Sequence, residues 1–413
     1  MRILPCPGHF VLAAALATLS CVSLHARGDG AGPSIAAFEA HWERQLRDAK
    51  IVGAGAAILL DRRLAWAKGF GHADADRTVA FTTDTVMNVG SIAKTVIGVA
   101  MLRAARDGRL SLDEDFNRHL DFRVANPHRP DARITLRHLA THTSGIRDRR
   151  EVYSRLYHYG GDSPEPLGRF LAGYFTPGAK DHSPENFLDA DPGRRREYSN
   201  IGAALAAHVV ERATGEAFDA YTRRIVFEPL GMTRTGWFLD AMREVRHGAL
   251  FVAQNGHVVP IPPYGIATYP DGMLRTTVSD LSRLFTAILD DGRLEGRQVF
   301  ESRDMAEMRR FQFGDANRPE NYPESSGNSG LFWRTKRGGA LVGHGGSDPG
   351  IHTEMLADPA GRVGIVFMAN TSLGGAEQRA IGRLVDALWS QGERMGRAGE
   401  RAAKDAGERE MPR

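Results

Sequence analysis

Between Ser34 and Lys50 the apolar side chains Ile35, Phe38, Trp42 and Leu46 recur at three- and four-residue intervals, which predicts an amphipathic helix with one buried stripe. Two nearly unbroken apolar runs follow, Val52 to Leu60 and Leu64 to Phe70, and Asp61-Arg62-Arg63 between them marks a hairpin. Near the other end Ala340 to Val342, Thr353 to Ala357 and Val363 to Met368 read as short strands. The last two are joined by the turn Asp358-Pro359-Ala360-Gly361. A helix from about Ala376 to Leu388 closes this part.

The stretch in between carries mostly helical spacing. Gly108 and Gly292 each follow a helical run within Asp-Gly-Arg-Leu, where a left-handed glycine ends the helix. These patterns predict an α/β (α+β) fold: one antiparallel sheet built from both chain ends, flanked by helices, with an inserted helix-rich region. Residues 27–90 and 331–391 form its α/β part and 91–330 the helix-rich insert, with a cleft expected between the two. Gly314 to Gly330, rich in Asn, Pro, Ser and Gly, reads as a long surface loop, and 392–413 as a disordered tail.

Composition narrows the partners. Of 413 residues 42% are hydrophobic and 25% charged, which is globular material, and 53 Lys and Arg against 50 Asp and Glu leave a formal charge of +3. So small an excess gives little pull on nucleic acid or an anionic membrane, and a small uncharged or mildly anionic ligand fits better. At the N-terminus Arg2, the apolar stretch Phe10 to Leu19 and Leu24-His25-Ala26 follow the order of a secretory signal over 1–26, too short for the roughly 20 apolar residues of a membrane span. The expectation is an exported chain, periplasmic or secreted, with no transmembrane span once the leader is removed. Cys21 raises lipidation, against which Thr18 stands where a lipobox has leucine. Both cysteines, Cys6 and Cys21, fall in the leader, so the mature chain offers neither a cysteine nucleophile nor a cysteine metal site.

The candidate chemistry lies in three short motifs. Ser91-Ile92-Ala93-Lys94 begins a helical run, so Ser91 sits at a helix N-terminus and Lys94 one turn on, on the same face. A capping box would have Glu or Gln at the position of Lys94; a cation there opposes the helix dipole, a placement with a cost in stability that suits a proton acceptor. Tyr198-Ser199-Asn200 precedes the helical run Ile201 to Ala213, with Asn200 a possible cap and Tyr198 a possible packing aromatic. Read as chemistry, Ser91 is a nucleophile, Lys94 and Tyr198 share its proton in an order left open here, and Asn200 orients Lys94 and the substrate. His344-Gly345-Gly346-Ser347 lies on or beside a strand; the paired glycines fit a bulge, or an edge stripped of side chains along which substrate lies. In the second case the Ser347 N–H would join that of Ser91 around an oxyanion.

With these motifs in this order, the chain resembles the serine β-lactamase and penicillin-binding-protein superfamily, in the branch of class C β-lactamases, D-alanyl-D-alanine carboxypeptidases and β-lactamase-like esterases. Leu139 to Ile146 (Leu-Ala-Thr-His-Thr-Ser-Gly-Ile) and Pro192-Gly193 add to the likeness, which runs from about Ser34 to Leu388. It implies a β-lactamase/transpeptidase-like fold, Ser91 as nucleophile, Lys94 and Tyr198 as proton relay, and Asn200, His344, Gly345, Gly346 and Ser347 at the substrate, with no cofactor and no metal. His344-Gly345-Gly346 stands where class C β-lactamases have Lys-Thr-Gly, which removes the ammonium and hydroxyl that engage a β-lactam carboxylate. The implied activity is therefore that of an exported serine hydrolase on a short-chain ester or D-amino-acid peptide, with β-lactams second. The rival class is a non-catalytic binding or scaffold protein that senses cell-wall peptides. His138 and His142 have zinc-helix spacing without the accompanying glutamate and read as structural, and Arg194-Arg195-Arg196 reads as a solvated basic run.

Overall fold

Ser34 starts the described chain as the cap of its first helix, its side chain accepting the Ala37 N–H at 3.3 Å. The computed structural model describes residues 34–254, 256–374 and 378–409; the leader expected over 1–26, with Cys6 and Cys21, lies outside them. Helix α1 (Ile35–Asp48) buries Phe38, Trp42 and Leu46. Ile35, the first member of the predicted stripe, stays 39% exposed.

The hairpin follows as strands β1 (Gly53–Leu60) and β2 (Arg63–Gly71). Asp61 and Arg62 turn it with φ of 47° and 63°, the left-handed pair that matches the twist of two antiparallel strands. Two helices then set the centre of the molecule, α2 (Lys94–Arg106) and α3 (Asn200–Thr214). Small residues along α3, Ala203, Ala204, Ala206 and Ala207, are all buried, and nearly every side chain of α2 is too. Helix α4 (Val278–Leu289) returns the chain to the sheet. Strands β3 (Arg334–Lys336), β4 (Leu341–Asp348), β5 (Ile351–Ala357) and β6 (Val363–Ala369) complete it.

The six strands run β3-β4-β5-β6-β1-β2, antiparallel throughout. The N-terminal hairpin pairs with the C-terminal strands through β1 and β6, Ala57 opposite Val366 and Ile58 opposite Ile365. Both faces of β1 are covered: Ala54, Ala56 and Ile58 join one apolar cluster, Ala57 and Leu59 the other. A strand buried on both sides needs no polar alternation, which is why its sequence is one continuous apolar run. On the first face Trp42 meets Phe70 and Phe367 edge-on at 5.0 and 5.8 Å and donates its indole N–H to the Leu384 carbonyl at 3.0 Å.

Two sequence expectations change. The closing helix α5 (Gln378–Arg409) continues through most of the segment read as a disordered tail, 392–413. At Gly392 the helix still crosses the sheet so closely that a Cβ there would stand 2.8 Å from Val363 Cγ1. Beyond it Ala, Glu, Lys and Arg are good helix formers, and Glu393 pairs with Arg397 one turn on at 3.9 Å. The missing apolar residues there signal exposure, not loss of helix. Two strands of the helix-rich region, Leu250–Gln254 and His257–Ile261, also form a small sheet with Thr371–Leu373 of the α/β part, and these short strands leave little periodic signal. Gly314 to Gly330 is the expected surface loop, with one helical turn at Glu324–Ser326. No helix among the described residues is long and apolar enough to cross a membrane.

Candidate active site

Gly90 to Ala93 form a tight 3-10 turn that runs directly into α2, so Ser91 precedes the first α-helical residue, Lys94. Gly90 has φ of 54°, and a Cβ on it would lie 3.3 Å from both Gly346 Cα and Ser347 N on β4. Gly346 is tighter still: a Cβ there would fall 2.1 Å from the Val89 carbonyl and 3.1 Å from Ser91 N. The turn is tied down on both sides, Val89 donating to Leu274 O at 2.9 Å and accepting from Thr353 Oγ1 at 2.8 Å. Glycine in β4 thus lets a strand backbone lie against the serine, and the ladder there continues without a bulge, Gly346 opposite Thr353.

Lys94 is fully buried, and its Nζ has three partners: Ser91 Oγ at 3.0 Å, Asn200 Oδ1 at 2.7 Å and the Asp271 backbone carbonyl at 2.7 Å. An ammonium satisfies all three with its three protons. A neutral amine has two protons and a lone pair, and of the three partners only the Ser91 hydroxyl has a proton to give. The neutral form therefore turns its lone pair toward Ser91.

Asn200 reaches Lys94 because Ser199, not Asn200, caps α3: Ser199 Oγ accepts the Gly202 N–H at 2.8 Å. The Asp148 carboxylate adds to this cap, accepting from Asn200 N at 2.7 Å, Ile201 N at 3.0 Å and Ser199 Oγ at 2.7 Å. Tyr198 approaches Lys94 with its ring, whose centroid lies 5.1 Å from Nζ; its hydroxyl is buried and makes no hydrogen bond among the described residues. The phenol oxygen and the amine were expected within hydrogen-bond reach. The packing around the ring sets the difference: the His142 ring lies 4.3 Å away and the Arg334 guanidinium 5.3 Å away.

His142 has φ of 59° and accepts the Ser199 N–H on Nδ1 at 3.3 Å, while His138 closes a capping box with Thr135. Both histidines of the zinc-like spacing thus serve the local backbone. His344 is fully buried with Nδ1 2.8 Å from the Gly345 carbonyl, which makes Nδ1 the protonated nitrogen and leaves Nε2 an acceptor without a partner among the described residues. Burial first, then the charges of Arg334 and Lys94, hold the His344 imidazole well below its usual range; burial and the charges of Arg196 and Lys94 do the same to His142. Ser347 continues β4 toward solvent.

The basic run divides. Arg194 and Arg195 are exposed, Arg194 pairing with Glu320 at 3.4 Å, as a solvated run would. Arg196 instead turns in over the Tyr322 ring at 4.7 Å, with Nε and Nη2 buried and, among the described residues, without hydrogen bonds. Asn321 clamps its backbone from both sides at 2.8 and 2.9 Å. Burial, then the nearby Arg334 charge, lowers its affinity for its proton. Among the described residues neither Arg196 nor Arg334 pairs with a carboxylate. On the opposite side two carboxyls stand close to Lys94: burial raises Asp271 to about 6 and Asp348 to about 7, with Tyr153 donating to Asp271 Oδ1 at 2.9 Å and Tyr157 to Asp348 Oδ1.

Asp148, Asp271, Arg196 and Arg334 escaped the sequence reading as site residues. Arg334 arrives only through the β3–β4 register, which sets it opposite Gly343, and Asp271 offers the site a backbone carbonyl, which no residue pattern encodes. Asp148 stands two residues beyond the Leu139 to Ile146 segment, so that segment was the available pointer.

Residues 38–388 match the family model described as Beta-lactamase. Among curated relatives, Protein flp of Staphylococcus aureus (strain N315) is 24% identical over 330 residues, 79% of this chain and 61% of that protein. Esterase EstB of Burkholderia gladioli is 30% identical over 214 residues, 49% of this chain and 51% of the relative. The matched region thus spans only about half to three fifths of these relatives' length. Among solved structures, the octameric penicillin-binding protein homologue from Pyrococcus abyssi shares the fold with a TM-score of 0.71 at 23% identity, over 88% of this chain and 78% of that one.

Proposed function

This chain belongs to the beta-lactamase family, and from that premise we propose that it is a serine hydrolase that forms an acyl-enzyme through Ser91 on an ester or amide. The observation that carries the proposal is the set of partners on Lys94 Nζ, two that only accept and one hydroxyl at 3.0 Å. In the proposed reaction the Ser91 proton passes to Lys94 Nζ as Oγ bonds to the substrate carbonyl carbon. The carbonyl oxygen, now an oxyanion, lies between the Ser91 and Ser347 N–H groups, which the closeness of Gly346 to Ser91 brings to one side. The bond to the leaving alcohol or amine then breaks, and that group takes the Tyr198 hydroxyl proton, which leaves a phenolate beside the Lys94 ammonium. Water then attacks the acyl-enzyme and gives its proton to that phenolate, and Ser91 Oγ departs with the proton held by Lys94, 3.0 Å away. No step calls for a cofactor or a metal.

For the substrate we propose a short-chain ester or a D-amino-acid peptide ahead of a β-lactam. His344 gives the strand neither the ammonium nor the hydroxyl of Lys-Thr-Gly, and with a neutral imidazole it brings no charge. The positive charge lies instead on Arg196 and Arg334, both beside Tyr198 and, among the described residues, both without a carboxylate partner, which favours a substrate with an anionic group at that end. The name of the EstB relative supports the ester reading. Export through the 1–26 leader remains part of the proposal. The test compares a chromogenic short-chain ester, a D-alanyl peptide and a chromogenic cephalosporin on the native chain and on Ser91→Ala, with fluorophosphonate labelling alongside. Expected are turnover of the ester or peptide above the cephalosporin and loss of both turnover and label in Ser91→Ala; turnover that survives the substitution removes the mechanism.

A further inference from the structure

Asn200 is held at both ends. Its side chain accepts from Lys94 at 2.7 Å while its backbone N–H donates to Asp148 Oδ2 at 2.7 Å. Asp148 lies 52 residues earlier in the chain, and its carboxylate bonds three consecutive residues at the start of α3. Ser199 already caps this helix by itself, but a local cap travels with the helix it closes. A carboxylate from another segment fixes where the first turn stands relative to that segment.

The segment is itself fixed. The hydroxyl of Tyr174, a fully buried residue, donates to the Arg147 carbonyl at 2.7 Å and accepts the Arg149 N–H at 3.2 Å, so one phenol brackets Asp148 on both sides. The Arg147 N–H is anchored to the Asn186 carbonyl at 2.9 Å. Among the described residues no Arg, Lys or His forms an ion pair with Asp148, so its charge is directed to the N-terminus of α3. The hydrogen bonds make one continuous path: Tyr174, the backbone at 147 and 149, Asp148, Asn200, Lys94, Ser91.

We infer that Asp148 is a positioning residue for the nucleophile: by aiming the first turn of α3 it sets Asn200 so that the Lys94 amine stays directed at Ser91. The inference rests on the serine-hydrolase reading. A purely structural cap would affect stability alone, whereas a positioning residue affects acylation at unchanged substrate binding.

The experiment compares the native chain with Asp148→Ala, Asp148→Asn, Tyr174→Phe and Gly215→Ala. The last is the stability control: Gly215 ends α3 at its far end with φ of 73° and open space around it, so alanine strains the same helix without touching its first turn. Acylation is read from the rate of fluorophosphonate labelling and from kcat and KM on a chromogenic ester, with Tm beside them. Asp148→Ala is expected to slow acylation by about 10- to 100-fold at a KM within about twofold of native, the range seen when a supporting group lets a reactive one drift. Asp148→Asn, which keeps one acceptor, and Tyr174→Phe should show the same split to a smaller degree. Gly215→Ala should lower Tm with native acylation. If Asp148→Ala fails to fold, the asparagine and phenylalanine variants give the same reading. Native acylation in the Asp148 variants, or a loss that follows Tm across the whole set including Gly215→Ala, overturns the inference. Activity persisting in Ser91→Ala would instead remove the hydrolase reading itself.

Discussion

Lys94 meets Tyr198 on the face of its ring, Nζ 5.1 Å from the centroid, while the same nitrogen lies 3.0 Å from Ser91 Oγ. The amine is thus bonded to the nucleophile and the phenol oxygen is not, which separates two duties that sequence motifs leave merged. Lys94 is suited to serine activation, and the Tyr198 hydroxyl, buried and without a partner, to the leaving group. Tyr198→Phe should accordingly spare nitrophenyl esters, whose leaving group departs unprotonated, to within a few-fold. It should slow alkyl esters and amides by about 10²- to 10⁴-fold, the usual contribution of a positioned acid. The ratio of the two kcat/KM values measures this directly; an equal loss on both substrates would place the phenol on the serine.

Arg196 and Arg334 face the same phenol, neither paired with a carboxylate among the described residues, and two guanidiniums that disfavour each other are relieved by an anion between them. Arg334→Gln and Arg196→Gln should each raise KM about tenfold or more for an ester carrying a free carboxylate and change it little for a neutral ester of the same size. Salt should weaken only the carboxylate substrate. Arg194→Gln, at an exposed residue paired with Glu320, is the contrasting variant and should leave both KM values near native.

Much of the fold was legible because it is periodic. The stripe of α1, the hairpin of β1 and β2 and the last two C-terminal strands each follow spacing along one segment and lie within a few residues of their expected limits, whereas β4, expected over Ala340 to Val342, runs on to Asp348 through the glycines, whose missing side chains leave no apolar pattern. In the site the legible part was the set of side chains carried by short motifs: Ser91, Lys94 and Asn200 come within hydrogen-bond distance. What sequence could not supply arises between segments. The Asp271 carbonyl is backbone, Arg334 depends on strand register, and Arg196 differs from Arg194 and Arg195 only in the Tyr322 ring beneath it. The helix beyond Gly392 was missed because apolar spacing reports burial, and an exposed helix has none.

The two glycines of β4 make opposite demands. A methyl group on Gly346 would collide with the Val89 carbonyl at 2.1 Å and with Thr353 Oγ1 at 2.5 Å, atoms fixed by the turn that carries Ser91. On Gly345 it would meet Glu354 Oε2 and Lys336 Nζ, the far ends of two flexible chains. Gly346→Ala should therefore destabilise the protein by about 1–3 kcal/mol, the range for overpacking, and abolish acylation by displacing the serine turn. Gly345→Ala should cost about 1 kcal/mol or less and leave labelling by a fluorophosphonate near native. Urea melts with the labelling rate check both; comparable acylation in the two variants would mean that β4 does not border the reacting atoms.

Asp271 and Asp348 give the site a pH dependence of defined sign. Burial raises their pKa values, to about 6 and about 7, and the Asp271 charge adds to the rise at Asp348. A carboxyl that holds its proton more tightly when folded stabilises the protein below its unfolded pKa, and that contribution is lost as pH rises through the folded value. His142 and His344 act in the other direction. Kept neutral by burial, they stabilise the fold above the usual histidine range, and that contribution falls away in acid. The carboxyl contribution should be lost between the ordinary carboxylate range and the folded values of about 6 and about 7, and level off above them. In Asp348→Asn the part of that loss that runs up to about pH 7 should be missing, while the histidine contribution is unchanged. From pH 5 to pH 8.5 the native Tm should therefore fall relative to that of the variant, by on the order of a few degrees. A Tm difference constant across that range would show that Asp348 keeps one charge state throughout it, and the pH dependence would then have to be sought in Asp271.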